Sequence, residues 1–403
     1  MNDSLSWAAI LGRIAAQLWP VWAALIVTFI LSIRYKRKLG LYGKLFDNPV
    51  GMVGFVLVMF WVYCAIFAPM IITHDPLAQL SGLKNALPGS ALKSPGPNDY
   101  PYYLLGGDNL ARDVFSRMIK GASSVLAIAP AATTFAFMVG VTLGLPAGYF
   151  GGKLDTILSF FANLVLAFPV ILLFFLLVTP EIQSTGYAVN IPWADAPWRS
   201  SIPNILAALL FIFPLIFVSI LFNSRYFTDP PKRNLYIGIS LAIGLWAYSG
   251  LAFNADPLGV WSMAPNLLNV FVSVVFVNSP TVFRIVRGIV MDLKARDYVA
   301  AAQTRGEGPW YIMLWEILPN ARGPLIVDFC LRIGYTTILL GTLGFFGLGV
   351  SPESPDWGST INAGRKLLSI FPHPALAPAL ALMSLVLGLN LLADGLREES
   401  LKD

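Results

Sequence analysis

Few side chains of this 403-residue chain could take part in chemistry, and the most unusual of them are polar groups inside apolar runs. Asp328 and Arg332 lie four residues apart, a spacing that places them on one helical face and allows an ion pair. Because charges are costly at membrane depth, this pair is a candidate for a transport pathway, although its position near one end of its run also fits an anchor. Asn163 interrupts another run, either as an interhelical hydrogen-bonding group, which is the commoner role, or as a ligand contact.

The residue patterns of an enzyme are missing. A nucleotide-binding loop requires glycine, four residues and then Gly-Lys-Ser/Thr, and the nearest string, which starts at Gly358, has a different spacing and no hydroxyl after its lysine. The two histidines are too few for a histidine metal cluster, and Cys64 and Cys330 both lie in apolar runs. We therefore expect no catalytic, cofactor-binding or metal-binding residues in this chain.

The elements that hold these polar groups are apolar and helical. Hydrophobic residues make up 56% of the chain and charged residues only 12%, which is typical of an all-α polytopic membrane protein. The net charge of +5 is small, and it gives no reason to expect a nucleic-acid partner. About nine apolar runs are long enough to cross a lipid bilayer. They cover approximately residues 8–33, 50–72, 123–149, 154–178, 204–222, 235–253, 266–289, 324–349 and 374–392.

Basic residues indicate how these runs are oriented. A cluster between Arg34 and Lys38 follows the first run instead of preceding it, which argues against a signal peptide and places the cluster in the cytoplasm. Lys and Arg are also more frequent in the other loops that this arrangement places inside. We therefore predict an external N-terminus and a cytoplasmic C-terminus.

The segment 286–320 is a charged, glycine-broken stretch between two strongly apolar blocks. Its charges place it outside the lipid, since a charge at the bilayer centre costs about 3 kcal/mol or more. Good helix formers predict a short helix over 291–304 that Gly306 ends. A second helix is predicted to begin near Trp310 and to end at Pro319.

This segment resembles the Glu-Ala-Ala loop of permease subunits in ATP-driven importers, specifically in the dipeptide and oligopeptide branch. The matching residues are Asp297, Tyr298, Val299, Ala301, Ala302, Gly306, Ile317, Leu318, Pro319 and Asn320. The glutamate that names the motif is absent, because Ala300 stands in its place. The resemblance implies that the helix before Gly306 docks in a groove on a cytoplasmic ATPase subunit, and it leaves the consequence of Ala300 open.

A second stretch, from Leu105 onwards, is similar to another signature of the same branch. The matching residues are Asp108, Asn109, Arg112, Asp113, Ser116 and Arg117. Asp108 or Asn109 could cap a helix whose polar face meets lipid headgroups or a docked partner, and a solvated face with local ion pairs is an equal alternative. Four residues are therefore candidates for an external docking surface, namely Asp108, Arg112, Asp113 and Arg117. The stretches around Phe346–Arg365 and Asn390–Arg397 also resemble the family.

The resemblance implies a type I importer permease core of about six helices, in two parts, 51–180 and 265–403. Residues 1–50 add an N-terminal helix with a basic linker, and residues 181–264 add a helical hairpin that the family pattern does not contain. The loop of this hairpin carries Arg225, Lys232 and Arg233, which place it inside. We interpret the hairpin as an insertion with a packing role.

The implied function is transport across a bacterial inner membrane. In the family, the permease forms half of a translocation pathway beside a second, related permease, with two cytoplasmic ATPase subunits and an external, periplasmic solute-binding protein. Peptides are the leading substrate class, while opines, peptide antibiotics and nickel chelates stay open because the binding protein selects the substrate. A stand-alone carrier or an intramembrane enzyme is the alternative, and co-purification of an ATPase subunit would decide between the two.

Overall fold

The computed structural model describes residues 4–97, 99–178, 202–253, 259, 265–348 and 353–400. The described part of the chain is mostly helical. Its α-helices are α1 (Trp7–Gln17), α2 (Trp19–Tyr35), α3 (Gly40–Lys44), α4 (Pro49–Ile66), α5 (Ala68–Ile71), α6 (Val114–Phe150), α7 (Gly152–Ala167), α8 (Val170–Val178), α9 (Ile202–Arg225), α10 (Pro230–Phe253), α11 (Pro265–Leu293), α12 (Asp297–Thr304), α13 (Pro309–Tyr311), α14 (Leu318–Asn320), α15 (Arg322–Phe345), α16 (Trp357–Arg365) and α17 (His373–Ser400).

Shorter elements complete the description. Two 3₁₀ turns cover Lys36–Lys38 and Leu45–Asp47, and a π-helix covers Ile312–Ile317. The strands β1 (Ser90–Ala91) and β2 (Tyr102–Tyr103) pair antiparallel, with Ser90 opposite Tyr103. Residues 179–201, between the predicted runs 154–178 and 204–222, fall outside the described residues, and so do residues 349–352 of the stretch Phe346–Arg365 that resembles the family.

Seven helices in the described ranges are long and apolar enough to cross a membrane, namely α4, α6, α9, α10, α11, α15 and α17. An eighth span is available if α1 and α2 act together, although these two helices meet at a 58° bend. Pro20 at the start of α2 fits this break, because proline is favoured in the first turn of a new helix. The first predicted run is therefore a bent pair.

The remaining predicted span, 154–178, consists of two shorter helices, α7 and α8. The break is at Phe168, whose backbone is extended (ψ 134°), and at the following residue, Pro169. A proline disfavours helical backbone in the residue before it, which explains why α7 ends here. Neither piece alone has the length of a transmembrane helix, and this break, together with the bent α1–α2 pair, accounts for the difference between seven helices and the nine predicted spans.

Contacts divide the chain into two compact units, Met1–Pro130 with Ile326–Asp403, and Ala131–Leu325. In the first unit, α4 and α17 pack closely through small residues. A Cβ added to Gly54 would lie 2.3 Å from the backbone nitrogen of Leu392, and one added to Gly388 would lie 2.7 Å from the Cβ of Leu57. Glycine at both positions therefore allows the two backbones to approach.

In the second unit, α6 packs against α11 through Gly140, Gly144 and Gly148. A Cβ on any of these glycines would come within 3 Å of α11, at the side chains of Val282 or Val286 or the carbonyl oxygen of Arg287. The regular spacing of these glycines thus serves packing within this chain. The hairpin of α9 and α10 belongs to the same unit, and α9 also contacts α11.

Candidate functional site

The segment 286–320 forms a short helix between two longer helical stretches. Helix α11 continues to Leu293, so the short helix α12 begins at Asp297 and not at the predicted Met291. Arg296 before it is extended (φ −80°, ψ 150°), which separates α12 from α11. Asp297 occupies the first turn of α12, where a negative charge is favoured by the helix dipole.

Gly306 ends α12 as predicted. Its φ of +79° lies in the left-handed region, which residues with a Cβ rarely adopt. The Gly306 N–H donates to the Gln303 carbonyl at 3.0 Å, and the Glu307 N–H donates to the Ala302 carbonyl at 3.2 Å. These two bonds form the usual pattern of a glycine-terminated helix, and they give α12 a defined end.

Helix α12 has one buried face and one exposed face. Val299 and Ala302 are fully buried in the apolar core of the second unit. The exposed face carries Asp297, Ala300, Ala301 and Thr304. These positions follow the i, i+3, i+4, i+7 spacing of one helical face. The two alanines are small, so a partner surface could approach the backbone of α12 closely.

Tyr298 lies at the edge of the buried face. Its hydroxyl oxygen is buried and has no hydrogen-bond partner among the described residues. Burial raises the pKa of Tyr298, since the phenolate form would lose contact with water. We therefore assign Tyr298 a packing role, in its neutral form.

Several polar contacts join α12 and its flanking residues to the ends of α6 and α7. The Lys294 ammonium donates to the Gly148 carbonyl at 2.8 Å and to the Tyr149 carbonyl at 3.3 Å, which satisfies carbonyl groups at the end of α6. The Gln303 amide donates to the Tyr149 hydroxyl at 3.1 Å. Arg287 near the end of α11 makes a two-pronged ion pair with Asp155 of α7, with an Nη2–Oδ2 distance of 2.6 Å.

The second helical stretch does not end at Pro319, in contrast to the prediction. The chain is helical from Pro309 through the π-helix to Asn320. Proline lacks the N–H that an α-helix requires, and the wider hydrogen bonding of the preceding π-helix accommodates this gap. The side-chain amide of Asn320 donates to the Glu316 carbonyl at 2.6 Å, which supplies a further bond near this point.

The polar residues from Asp108 to Arg117 form a buried network. Asp108, Arg112, Asp113 and Arg117 are each at most 2% exposed. Asp108 accepts from the Arg112 backbone N–H at 2.9 Å and from Arg112 Nε at 2.7 Å. Helix α6 begins after Asp113, whose carboxylate accepts from the Ser116 N–H at 3.2 Å, so the helix cap is Asp113 and neither Asp108 nor Asn109.

The partners of Arg117 come from distant parts of the first unit. Its guanidinium donates to the carbonyl oxygens of Pro76 and Glu353, each at 3.2 Å, to that of Ser354 at 2.7 Å and to the Thr360 hydroxyl at 3.2 Å. Tyr103 is buried beside Asp113 and Asp108. Burial is the main reason why the pKa of Tyr103 is raised, and the negative charges of Asp113 and Asp108 raise it further. In this conformation the four side chains bind one another or this chain and offer no docking surface.

The three polar residues within apolar runs are each paired. The Arg284 guanidinium donates to the Asn163 side-chain oxygen, which joins α11 to α7. Arg332 binds Asp328 within α15, with distances of 2.9 Å from Nε to Oδ2 and 3.1 Å from Nη2 to Oδ1. Within the described ranges, no group of three His, Cys, Asp or Glu side chains could hold a metal ion.

Two contacts of the segment 286–320 could not be predicted from the sequence. Asp155 and Arg287 are 132 positions apart, and only their place at the ends of apolar runs hints at a pair. Trp315 contacts Ser224 and Arg225 of α9, and no sequence pattern indicates this contact.

Comparison with known proteins identifies similarities over most of the chain. Residues 140–398 match the model of the family described as binding-protein-dependent transport system inner membrane component. Residues 42–88 match the N-terminal TM domain of oligopeptide transport permease C.

Individual relatives agree with this match. The chain is 26% identical over 357 residues to a dipeptide transport system permease protein of Alkalihalophilus pseudofirmus, which covers 89% of this chain and 87% of the relative. It is 29% identical over 296 residues to a glutathione transport system permease protein of Pectobacterium atrosepticum, and this alignment covers 73% of this chain and 71% of the relative. A glutathione transport system permease protein of Escherichia coli is 36% identical over 154 residues, 38% of this chain and 50% of the relative.

Proposed function

The chain belongs to the family of binding-protein-dependent transport system inner membrane components, and from this premise we propose that its segment 286–320 couples it to an ATPase subunit. Membership makes it a non-catalytic, multi-pass permease of the inner membrane that works with a binding protein and an ATPase. The observation that supports the coupling role is the two-faced helix α12. Its small exposed residues suit a groove on a partner, while Val299 and Ala302 fix its other face in the core.

The surroundings of α12 suit the transmission of movement into the membrane helices. A partner that pushes on the exposed face of α12 acts on a short helix with a defined end at Gly306. The contacts of Lys294 and Gln303 then pass the displacement to the end of α6, which packs along α11. Because packed helices move as units, a push at α12 shifts α6 and α11 together. This movement is the proposed link between ATP hydrolysis and opening of the pathway.

The assembly and orientation follow from the same role. The permease pairs with a second, related permease, two cytoplasmic ATPase subunits and a periplasmic binding protein. Helix α12 then lies in the cytoplasm, together with the C-terminus, and the N-terminus lies outside. The excess of Lys and Arg in the loops assigned to the inside supports this orientation.

We propose small peptides as the substrate class. The support is the match to an oligopeptide permease domain and the similarity to permease proteins of dipeptide and glutathione transport systems. The binding protein would make the first selection, so opines, peptide antibiotics and nickel chelates are the competing substrates. Dialanine uptake in the presence of the cognate binding protein tests this assignment, and a transporter that takes up an opine, a peptide antibiotic or a nickel chelate but no dialanine would contradict it.

Replacement of Asp297 by arginine tests the coupling surface. The Asp297→Arg variant places a positive charge at the N-terminus of α12 and on its exposed face, so we expect dialanine uptake to fall about tenfold or more. The ATPase subunit should co-purify with the unaltered chain and be lost from the variant. Membrane insertion should stay normal, because Asp297 is exposed and packs against no core.

Asp292→Arg is the matched control. Asp292 is an exposed acidic residue near the end of α11, outside the face of α12, and its replacement should leave uptake and ATPase co-purification unchanged. Unimpaired uptake by Asp297→Arg, or equal losses in both variants, would show that α12 is not the coupling surface. A solitary chain that transports without an ATPase subunit would favour a stand-alone carrier.

A further inference from the structure

In the segment 286–320, here called the coupling segment, Trp315 receives two polar contacts from the end of α9. The Trp315 indole N–H donates to the Ser224 hydroxyl at 3.1 Å, and the Ser224 hydroxyl in turn donates to the Leu221 carbonyl at 3.0 Å. The Arg225 guanidinium carbon lies 4.8 Å from the centre of the Trp315 ring. One indole is therefore bound at its edge by Ser224 and over its face by Arg225, the last two residues of α9.

Trp315 is connected to α12 through its neighbour in the chain. Glu316 accepts from Arg305 Nη2 at 2.6 Å, and Arg305 caps the C-terminus of α12. Both Trp315 and Glu316 belong to the π-helix, a conformation that is rare and often occurs at functional positions. One turn of this π-helix thus binds the hairpin on one side and α12 on the other.

Apolar side chains of α9 also pack against the core beneath α12. Phe217, Ile220 and Leu221 of α9 pack against the core that contains Val299 and Ala302 of α12. Ser224 is only 7% exposed, so its hydrogen bond with Trp315 is largely protected from water. Helix α9 and α12 are therefore parts of one packed core.

Next to the Trp315 contact, a cavity separates the hairpin loop from the Gly306 turn. This cavity of about 530 Å³ is lined by both segments. Ser224, Arg225 and Phe227 line its hairpin side, and Gly306, Pro309 and Trp310 line its turn side. Beside this cavity, the contacts of Ser224 and Arg225 with Trp315 join the hairpin to the coupling segment.

We propose that the α9–α10 hairpin positions the coupling segment through the contact of Ser224 and Arg225 with Trp315. This inference rests on the proposed coupling role of α12. When a partner displaces α12, the contact keeps the π-helix in register with α9, so that the displacement reaches the membrane helices. Without it, α12 and the π-helix move independently of the hairpin, and part of the ATP hydrolysis proceeds without transport. Ser224 and Arg225 are positioning residues, since they act through Trp315.

The test uses the complete transporter, with its ATPase subunits and binding protein, reconstituted in lipid vesicles. Ser224→Ala removes the acceptor and Arg225→Ala removes the cation, while Arg225→Lys keeps a cation over the ring. We expect dialanine uptake per ATP hydrolysed to fall about fivefold or more in each alanine variant and to recover partly in Arg225→Lys. Hydrogen exchange of the amides of α12 should become faster in the alanine variants, at an unchanged melting temperature of the complex.

A double-mutant cycle with Trp315→Phe separates this contact from a general effect of the hairpin. Phenylalanine keeps an aromatic ring and lacks the N–H, so Ser224→Ala should add nothing further in the Trp315→Phe background. Lys232→Ala is the control, because Lys232 lies in the first turn of α10 in the same hairpin and pairs with Asp229 just before that helix. Its uptake per ATP and its α12 exchange should equal those of the unaltered complex.

Three results would overturn the inference. These are normal uptake per ATP and normal α12 exchange in both alanine variants, additive effects of Ser224→Ala and Trp315→Phe, or an equal effect of Lys232→Ala. The Gly306→Pro variant distinguishes this failure from failure of the coupling role. If Gly306→Pro abolishes uptake while the hairpin variants behave normally, only the hairpin inference is wrong. If Gly306→Pro still transports, the coupling role fails and the inference fails with it.

Discussion

Gly306→Pro is expected to abolish uptake while membrane insertion stays intact. Gly306 has a φ of +79°, and its N–H donates to the Gln303 carbonyl at 3.0 Å. Proline cannot adopt this angle and has no N–H to donate, so α12 would lose its defined end. A Cβ at Gly306 would meet no atom within 4 Å, which means that the change affects the local backbone and not the surrounding core.

The matched control for this variant is Gly308→Ala. Gly308 also has no neighbour within 4 Å of an added Cβ, but its φ of −69° and ψ of 152° suit any residue. Dialanine uptake should therefore be normal in Gly308→Ala and at least about tenfold lower in Gly306→Pro, at equal amounts of protein in the membrane. Uptake by Gly306→Pro at the level of Gly308→Ala would mean that the end of α12 has no part in coupling.

Arg117→Met is expected to cause a large loss of stability. The Arg117 side chain is buried and donates to three backbone carbonyls and the Thr360 hydroxyl. Its removal leaves these carbonyls without their donor and Asp108 with one cation fewer nearby. Removing one partner from a buried polar network lowers the free energy of unfolding by about 3–5 kcal/mol. We expect the variant to aggregate, or to melt at least about 5 °C lower in detergent than the unaltered protein.

Lys120→Met provides the comparison for Arg117→Met. Lys120 lies three positions further along α6 and is exposed, so its replacement should leave the melting temperature unchanged. The pair of variants also decides between the two roles considered for the residues Asp108 to Arg117. If Arg117→Met melts like the unaltered protein and loses only its affinity for the binding protein, these residues form a docking surface and the structural role is wrong.

The apolar runs and the end of α12 could be predicted from sequence because the responsible signals are local. Hydropathy alone identifies α4, α9, α10 and α17, and Gly306 ends α12 through its own backbone angle. The start of α12 was predicted six residues too early. Residues 291–293 are good helix formers and continue α11, and Lys294 then binds the carbonyl groups at the end of α6. That contact depends on the fold and leaves no local pattern.

The two prolines illustrate the same limit. Pro169 interrupts a run that hydropathy alone presents as one span, because the hydropathy of a segment does not depend on the missing N–H. Pro319 is predicted to end a helix, yet the chain stays helical through Asn320, because the π-helix before Pro319 accommodates the missing N–H. A π-helix is rare and has no sequence pattern by which it could have been predicted.

The roles of charged residues were the hardest to predict. Arg117 has the spacing of an exposed helical face, yet three of its four hydrogen-bond partners, Glu353, Ser354 and Thr360, lie more than 230 positions away. Burial of this kind follows from tertiary contacts, which a single sequence does not reveal. The contact of Trp315 with Ser224, 91 positions earlier, is missed for the same reason, although it joins the hairpin to the coupling segment.

Site-specific crosslinking from α12 is the most direct test of the coupling claim. Ala301 is exposed on α12, and Ala301→Cys can be made in a chain whose Cys64 and Cys330 are replaced by alanine. Leu87→Cys is the control, since Leu87 is 59% exposed in a segment predicted to lie outside. A thiol-to-amine crosslinker applied to membranes that contain the whole transporter should join position 301 to the ATPase subunit, and position 87 should not react with it. Equal crosslinking from both positions, or none from position 301 in an intact transporter, would mean that α12 is not the surface that binds the ATPase subunit.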